Sequence, residues 1–464
     1  MKTLLKNLAQ SIPSPFIILL LLVLPFIYST RVPDPSLTPR LLALNILVLA
    51  VVLGFAFRRD EKAFLNLTGS VSHPLFGAYA GYLFFGGLSV LFAVNAREGI
   101  YDWTRMMLFF ILLILLVYAL KSKRNNRESV VKTIVVLALL LCIRGFYEVF
   151  SVSSTGAFDH QASYFIRAYS SNRNLFSQFL FLCFPFTAYG VTALKQAWRV
   201  ASAIAALLIL VLSVILLTRS VWVAFALAFI VTFVLFLIFS FKTTKFSNPV
   251  KKLLFYLVLF FGIVGISLLI YAQFGDLKVF REQLYWIGNY KFGSSLERVG
   301  LWQKSLQMSR NNPLTGVGAG NWKICFPAYG MMTGRPDAAT TFFQRPHNDF
   351  IWVLAENGIF AFLFYVLIFF LAFRSMVRAL ENAQNTNDLL FNLLLVFGLT
   401  GYLVFALLSF PRERIEHQVF LHLYLALVVV SASGKLTKET KLSKFTRLTS
   451  LGFVVVLLLF ATLL

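Results

Sequence analysis

Apolar residues along this chain come in long blocks separated by short polar joints. The blocks run to roughly 16–22 residues, about the length a helix needs to cross a bilayer. In lipid the backbone groups of such a block must be paired internally, which makes each block a helix. The pattern predicts spans over residues 14–29, 41–57, 74–94, 104–120, 131–150, 175–194, 198–217, 221–240, 253–273, 350–373, 388–410, 418–433 and 449–464. The predicted fold is all-α, a polytopic transmembrane helical bundle of about 12–13 spans. The first block, near Ser14–Tyr28, resembles a secretory leader in length. It lacks a convincing small-residue cleavage site and many spans follow, so it is read as the first span.

One stretch breaks the pattern of tight joints. Residues 275–349 separate two spans, and loops of that length are usually functional or carry structure of their own. The loop contains Trp286, Trp302 and Trp322, and helix-like runs near 277–290 and 296–310. The breaker run Asn311-Asn312-Pro313 follows, then the turn Gly316-Val317-Gly318-Ala319-Gly320. The expected organisation is transmembrane spans over 1–274, a cap over 275–349 and further spans over 350–464.

Composition agrees with the pattern: 59% of residues are hydrophobic and 13% charged, and a soluble protein could not hide that much apolar surface. The net charge of +23 invites a nucleic-acid reading, but the basic residues are dispersed over short loops, so no nucleic-acid partner is expected. Alternate loops are the richer ones, among them Lys121, Lys123, Arg124 and Arg127, then Lys242, Lys245, Lys251 and Lys252, then Lys435, Lys438, Lys441, Lys444 and Arg447. The positive-inside rule then puts the N-terminus in the cytoplasm and the long loop outside. The same cations suit anionic lipid headgroups or pyrophosphate. The last span stops at Leu464 without a flanking charge, and the natural chain is expected to continue into an outer tail. The cysteines Cys142, Cys183 and Cys325 form no CxxC pattern, so neither a disulfide framework nor a metal site is predicted.

Polar positions on the outer side carry the candidate chemistry. Thr218-Arg219-Ser220 joins two apolar spans with almost no loop. Arg219 is either a snorkelling interface anchor or an anion clamp facing the bundle interior. Arg298 opens the second loop helix, where the plain alternative is a solvated ion pair. In Arg345-Pro346-His347-Asn348-Asp349, Pro346 biases Arg345 away from helix and fixes the approach to the next span. His347 is then either a hydrogen-bonded structural residue or a general base titrating near neutrality. Ser171-Asn172-Arg173-Asn174 is a substrate contact or a helix cap. Pro411-Arg412-Glu413-Arg414 and His417 are plain interface charges or part of the site. Arg144 and Glu148, at i,i+4 inside a span, read as a structural ion pair. His73 falls on the cytoplasmic side, and His160 and His422 receive no role. There is no phosphate loop, HExxH, GxSxG or DxD-type acidic pair in the outer loop, which argues against an ATP-driven step or a divalent-metal nucleotide-sugar site.

Taken together, Arg298–Trp302, Asn312-Pro313-Leu314-Thr315-Gly316-Val317-Gly318, Pro346-His347-Asn348-Asp349-Phe350 and Glu356-Asn357-Gly358 resemble the O-antigen ligase family. Thr218-Arg219-Ser220 and Asn172-Arg173-Asn174 resemble further motifs of that family, and order and spacing agree across roughly residues 95–430. The resemblance implies a GT-C-type bundle in the bacterial inner membrane with a periplasmic active site. It implies glycan transfer from undecaprenyl pyrophosphate to an acceptor, with inversion and with no metal or other cofactor. His347 would be the catalytic base, or position the acceptor. Arg219 and Arg298 would hold the pyrophosphate, and Arg173, Asn174, Arg345, Asn348 and Arg412 complete the candidate substrate contacts. The expected partners are the lipid-linked glycan donor, membrane lipids and a hydroxyl acceptor, foremost lipid A-core. A growing glycan, as in a polymerase, or a protein hydroxyl, as in an O-oligosaccharyltransferase, remain alternatives. A lipid-glycan transporter is the competing class; it would call for inverted repeats of broken spans, which the sequence does not display.

Overall fold

The computed structural model describes residues 13–58, 71–121, 126–154, 161–242, 269, 277–285, 293–330 and 342–432. Among these residues the secondary structure is helical, with no strand. Among the described residues nine helices are long and apolar enough to cross a membrane, and the chain is a polytopic helical bundle. The expected first span is an irregular helix: α1 (Pro13–Ile18) runs into a π-turn over Leu19–Val23 and a 3-10 turn over Leu24–Phe26. The expected spans over 253–273 and 449–464 lie outside the described residues.

Contacts divide the chain into two compact units. The first comprises residues 1–40, 123–288 and 376–405. It contains α5 (Asn126–Ser153), α6 (Arg173–Ala193), α7 (Gln196–Ile215), α8 (Arg219–Lys242) and the short α9 (Leu277–Tyr285). Most of α13 (Thr386–Leu408) joins them. Aromatic packing binds this unit. The Phe181 ring meets those of Phe225 and Phe397 at centroid distances of 4.6 and 5.4 Å. Lipid tails are as apolar as these side chains, so close shape fit rather than water exclusion holds such helices together. Arg144 and Glu148 form the ion pair expected from their spacing, at 2.9 Å. The second carboxylate oxygen of Glu148 accepts the backbone N–H groups of Arg167 and Ala168.

The second unit comprises residues 41–122, 289–375 and 406–464. Its long helices are most of α2 (Leu37–Arg58), α3 (Pro74–Val90), α4 (Ala96–Lys121), most of α12 (Asp349–Glu381) and α14 (Ile415–Ala432). The expected loop helices are both present, but they belong to different units. Phe280 of α9 packs on Trp222 in the first unit, 4.9 Å between centroids. The second loop helix, α10 (Gly293–Asn311), and α11 (Trp322–Cys325) belong to the second.

A break in α12 seats the loop. Gly358 has φ +77° in the midst of this helix, a conformation side chains rarely adopt. The interruption frees carbonyls of the preceding turn. Ala355 O accepts the N–H of Val317 and Glu356 O that of Gly318, both at 3.0 Å. In return Pro313 O accepts the N–H of Ile359 at 2.9 Å. Gly316, at φ +65°, lies so close to the Glu356 backbone that an added Cβ would collide with it. The glycine turn and the Glu356-Asn357-Gly358 break are thus two halves of one joint.

Candidate active site

The second unit assembles its site around His347. Arg298 and Trp302 stand four residues apart on α10, hence on one face of that helix. Trp302 donates its indole N–H to the carbonyl oxygen of Pro346 at 2.9 Å. That bond ties the residue preceding His347 to the face bearing Arg298. On the other side, the Asn348 side-chain oxygen accepts the N–H groups of Phe350 and Ile351, each at 3.0 Å, capping α12. The chain between these anchors is forced into a left-handed turn, with His347 at φ +56°. Such a conformation costs a non-glycine residue about 1–3 kcal/mol and persists only where its surroundings over-determine it.

The ring of His347 meets Phe410 edge to face, 4.9 Å between centroids at 81°. Its Nδ1 is shielded from solvent and has no hydrogen-bond partner among the described residues. Burial, with the charges of Arg298 and Arg345 beside it, pushes the imidazole pKa down to about 3. The expectation of titration near neutrality therefore does not hold. The ring stays neutral through the physiological range.

The segment 410–414 is not a set of interface charges. Arg412, Glu413 and Arg414 are all buried, and His417 is fully buried. Arg412 donates from Nη2 to Asp102 at 2.7 Å, lies 3.5 Å from Glu356, and gives its backbone N–H to Asp349 at 2.9 Å. Its guanidinium lies over the Trp352 ring at 5.0 Å. Asp102 also pairs with Arg105 one turn along α4. Arg345 forms an ion pair with Glu413 at 2.6 Å and donates to Gln344 at 3.0 Å, with its guanidinium 4.7 Å from the Phe410 centroid. Arg345, Asn348 and Arg412 therefore make their described contacts within the protein. Next to this network a small pocket is lined by Arg105, Arg412, Tyr79, Tyr82, Tyr365 and His422, among others. His422 is held by Tyr79 at 2.9 Å and by the carbonyl of Gln418 at 2.6 Å.

Asp102 and Arg105 were not singled out from sequence, and Asp349 and Glu413 entered only as members of their motifs. A signal existed for the first two: an acid and a base at i,i+3 inside an apolar block are costly there unless paired. Glu356 entered only through its motif. Its carboxylate accepts the N–H of Trp322 at 3.0 Å, which pins α11 to α12.

The first unit holds the other candidates, Arg173, Asn174 and Arg219. Asn172 caps α6 by accepting the N–H of Leu175 at 3.0 Å, one of its two expected roles. Arg173 is buried under the Tyr164 ring at 3.8 Å. The Thr218 hydroxyl donates to the Asn174 side-chain oxygen at 3.4 Å, and Gln178 donates to Ser220 at 3.3 Å. These bonds join the start of α6 to the start of α8, where Arg219 is half-buried.

Fold and site together define a multi-pass helical membrane protein whose loop motifs converge on a neutral histidine between arginines. Residues 203–366 match the family described as O-antigen ligase, a stretch that includes Arg219, Arg298, Arg345, His347 and Asn348. That segment is similar to the O-antigen ligase family, and the similarity supports reading the chain as a membrane glycosyltransferase of the ligase or polymerase type. Arg173, Asn174 and Arg412 lie outside the matched stretch. A comparison with curated proteins finds no match.

Proposed function

We propose that this protein transfers a glycan from undecaprenyl pyrophosphate to a hydroxyl of lipid A-core at the periplasmic face of the bacterial inner membrane. The observation that carries this reading is His347, neutral, with an unpartnered shielded Nδ1, beside Arg298 in the family-matched stretch. In the reaction the bond between the sugar anomeric carbon and the phosphate oxygen breaks, and its electron pair leaves with the pyrophosphate. The acceptor oxygen bonds to that carbon from the opposite side, inverting it, and its proton passes to His347.

Arg298 stabilises the charge that builds on the leaving phosphate, and Arg219 is assigned as a second donor-binding residue. An imidazole with a pKa near 3 is a weak base in the free enzyme. A pyrophosphate beside Arg298 offsets the cation that depresses it, so donor binding itself raises the basicity of His347. Arg345, Asn348 and Arg412 serve by holding the His347 segment in its strained turn. Arg173 and Asn174 are proposed to contact the donor glycan. Lipid A-core as acceptor accords with the ligase description of the matched stretch. The dispersed cations of alternate loops support a cytoplasmic N-terminus.

The test is reconstitution. Purified protein in nanodiscs receives an undecaprenyl-pyrophosphate glycan together with lipid A-core. Glycosylated lipid A-core is the expected product. Lengthened donor chains formed instead would make the enzyme a polymerase. Movement of donor across liposomes without a new glycosidic bond would overturn the enzymatic reading.

A further inference from the structure

Glu413 sits at the centre of an arrangement that the reaction as described leaves unused. Its Oε2 forms ion pairs with Arg345 Nη1 at 2.6 Å and with Arg414 Nη2 at 3.1 Å. Both guanidiniums also lie over one ring, that of Phe410, at 4.7 and 5.4 Å from its centroid. The same ring receives the edge-to-face contact of His347 at 4.9 Å. One carboxylate and one aromatic ring thus fix two cations and the candidate base together. The turn carrying them is joined to the histidine segment by the Arg412 N–H bond to Asp349. Glu413, Arg345 and Arg414 are all largely buried, so their charges act through poorly screening surroundings.

Among the described residues, the charged side chains bearing on this neighbourhood include Arg298 from α10, Arg345 from the histidine's own segment, Asp349 at the start of α12, and Arg412, Glu413 and Arg414 from the turn before α14. Arg298 and Arg345 both oppose protonation of the imidazole. Arg298 is the residue a bound pyrophosphate would neutralise. Arg345 is already matched, by Glu413.

We infer that Glu413 is a positioning residue for the transfer reaction: it holds Arg345 against Phe410 and cancels its charge, so that His347 keeps both its orientation and its capacity to take the acceptor proton. The inference rests on the transfer reading proposed above. It assigns to Glu413 no contact with donor or acceptor. Glu413→Gln retains shape and removes the charge. Arg345 then loses that carboxylate's charge beside His347, weakening the base, while the donor site is untouched.

The experiment compares wild type, Glu413→Gln, Glu413→Asp, Arg345→Met and the Arg345→Met/Glu413→Gln double variant in the reconstituted assay, with thermal unfolding measured in parallel. Glu413→Gln should lower kcat about tenfold or more with donor KM within about twofold. Its kcat acid limb should move to lower pH. Glu413→Asp should retain more activity than Glu413→Gln. Glu413→Gln should cost less kcat in the Arg345→Met background than in the wild type, because the cation that Glu413 cancels is gone. An equal kcat cost of Glu413→Gln in the wild-type and Arg345→Met backgrounds overturns the inference, as does a loss expressed in KM alone. So does a kcat loss with an unmoved acid limb, the mark of a merely structural role. Failure of the transfer reading is separate: it would appear as absence of transfer in the wild type.

Discussion

Trp302 and Pro346 are 44 positions apart in the chain and joined by one hydrogen bond, indole N–H to carbonyl oxygen, at 2.9 Å. The bond explains why an arginine and a tryptophan stand at i,i+4 in this loop. The tryptophan grips the residue before His347, and helical geometry then brings the arginine alongside. Trp302→Phe keeps the ring and removes the donor. Transfer is expected to fall about tenfold in kcat with a stability loss of about 1 kcal/mol, the worth of one such bond. Steady-state kinetics and thermal unfolding check the two figures. An unchanged kcat would mean the bond does not position His347.

His347→Ala should abolish transfer, a loss on the order of 10² to 10⁴ in kcat if the imidazole is the base. Membrane insertion and monodispersity should be retained, since Nδ1 makes no bond within the described residues. Detection of product at wild-type rates would refute the assignment.

The pH dependence follows from the position of the His347 pKa, about 3 when folded against about 6.5 for an unperturbed histidine. Between those values the unfolded chain binds the proton and the folded chain does not. The contribution of His347 to stability is therefore fully present above about pH 6.5 and is lost progressively on acidification toward pH 3. For activity, the acid limb of kcat/KM reports the free enzyme and should lie well below the ordinary histidine range. The limb of kcat reports the donor complex and should lie higher, because the pyrophosphate offsets Arg298. Coincident limbs near pH 6.5 would contradict both parts.

Asp102 carries two buried arginines, Arg105 and Arg412. Asp102→Ala leaves both with less compensation, and removing one partner of a buried pair typically costs about 3–5 kcal/mol. The variant should be recovered poorly from membranes and unfold at markedly lower temperature. Asp102→Asn, which keeps hydrogen-bonding capacity, should be milder. Equal stability of all three proteins would show the cluster to be dispensable.

Gly358→Ala tests the joint between loop and helix. A side chain at φ +77° is strained, and its Cβ would collide with the Leu314 carbonyl. A loss of about 3 kcal/mol is expected, with reduced transfer because the turn positions the loop. Fluorescence-detected thermal unfolding in detergent measures the first, and the reconstituted assay the second.

Much of the fold was legible because lipid imposes a simple rule: an apolar block of sufficient length becomes a helix. Span positions from 41–57 to 418–433 could be read that way wherever the structure describes them, and the Asn172 cap and the Arg144–Glu148 pair followed from local spacing. Hydrophobicity is nearly blind to what happens at span ends. Pro411-Arg412-Glu413-Arg414 has the composition of a wet interface, yet its charged side chains are buried. Only partners brought from α4, α12 and the histidine segment make that burial tolerable.

The same division holds for the site. Sequence alone determined that a tryptophan helix, a glycine turn and a proline-histidine segment occur in order, because each motif is a local pattern of residue types. Tertiary structure decided what they do together: carbonyls freed at Gly358 receive the turn, and Trp302 receives Pro346. It also decided the state of His347. Its proton affinity is set by burial and by charges from Arg298 on one helix and Arg345 beside it, and the Coulomb term depends on distance in space rather than separation along the chain.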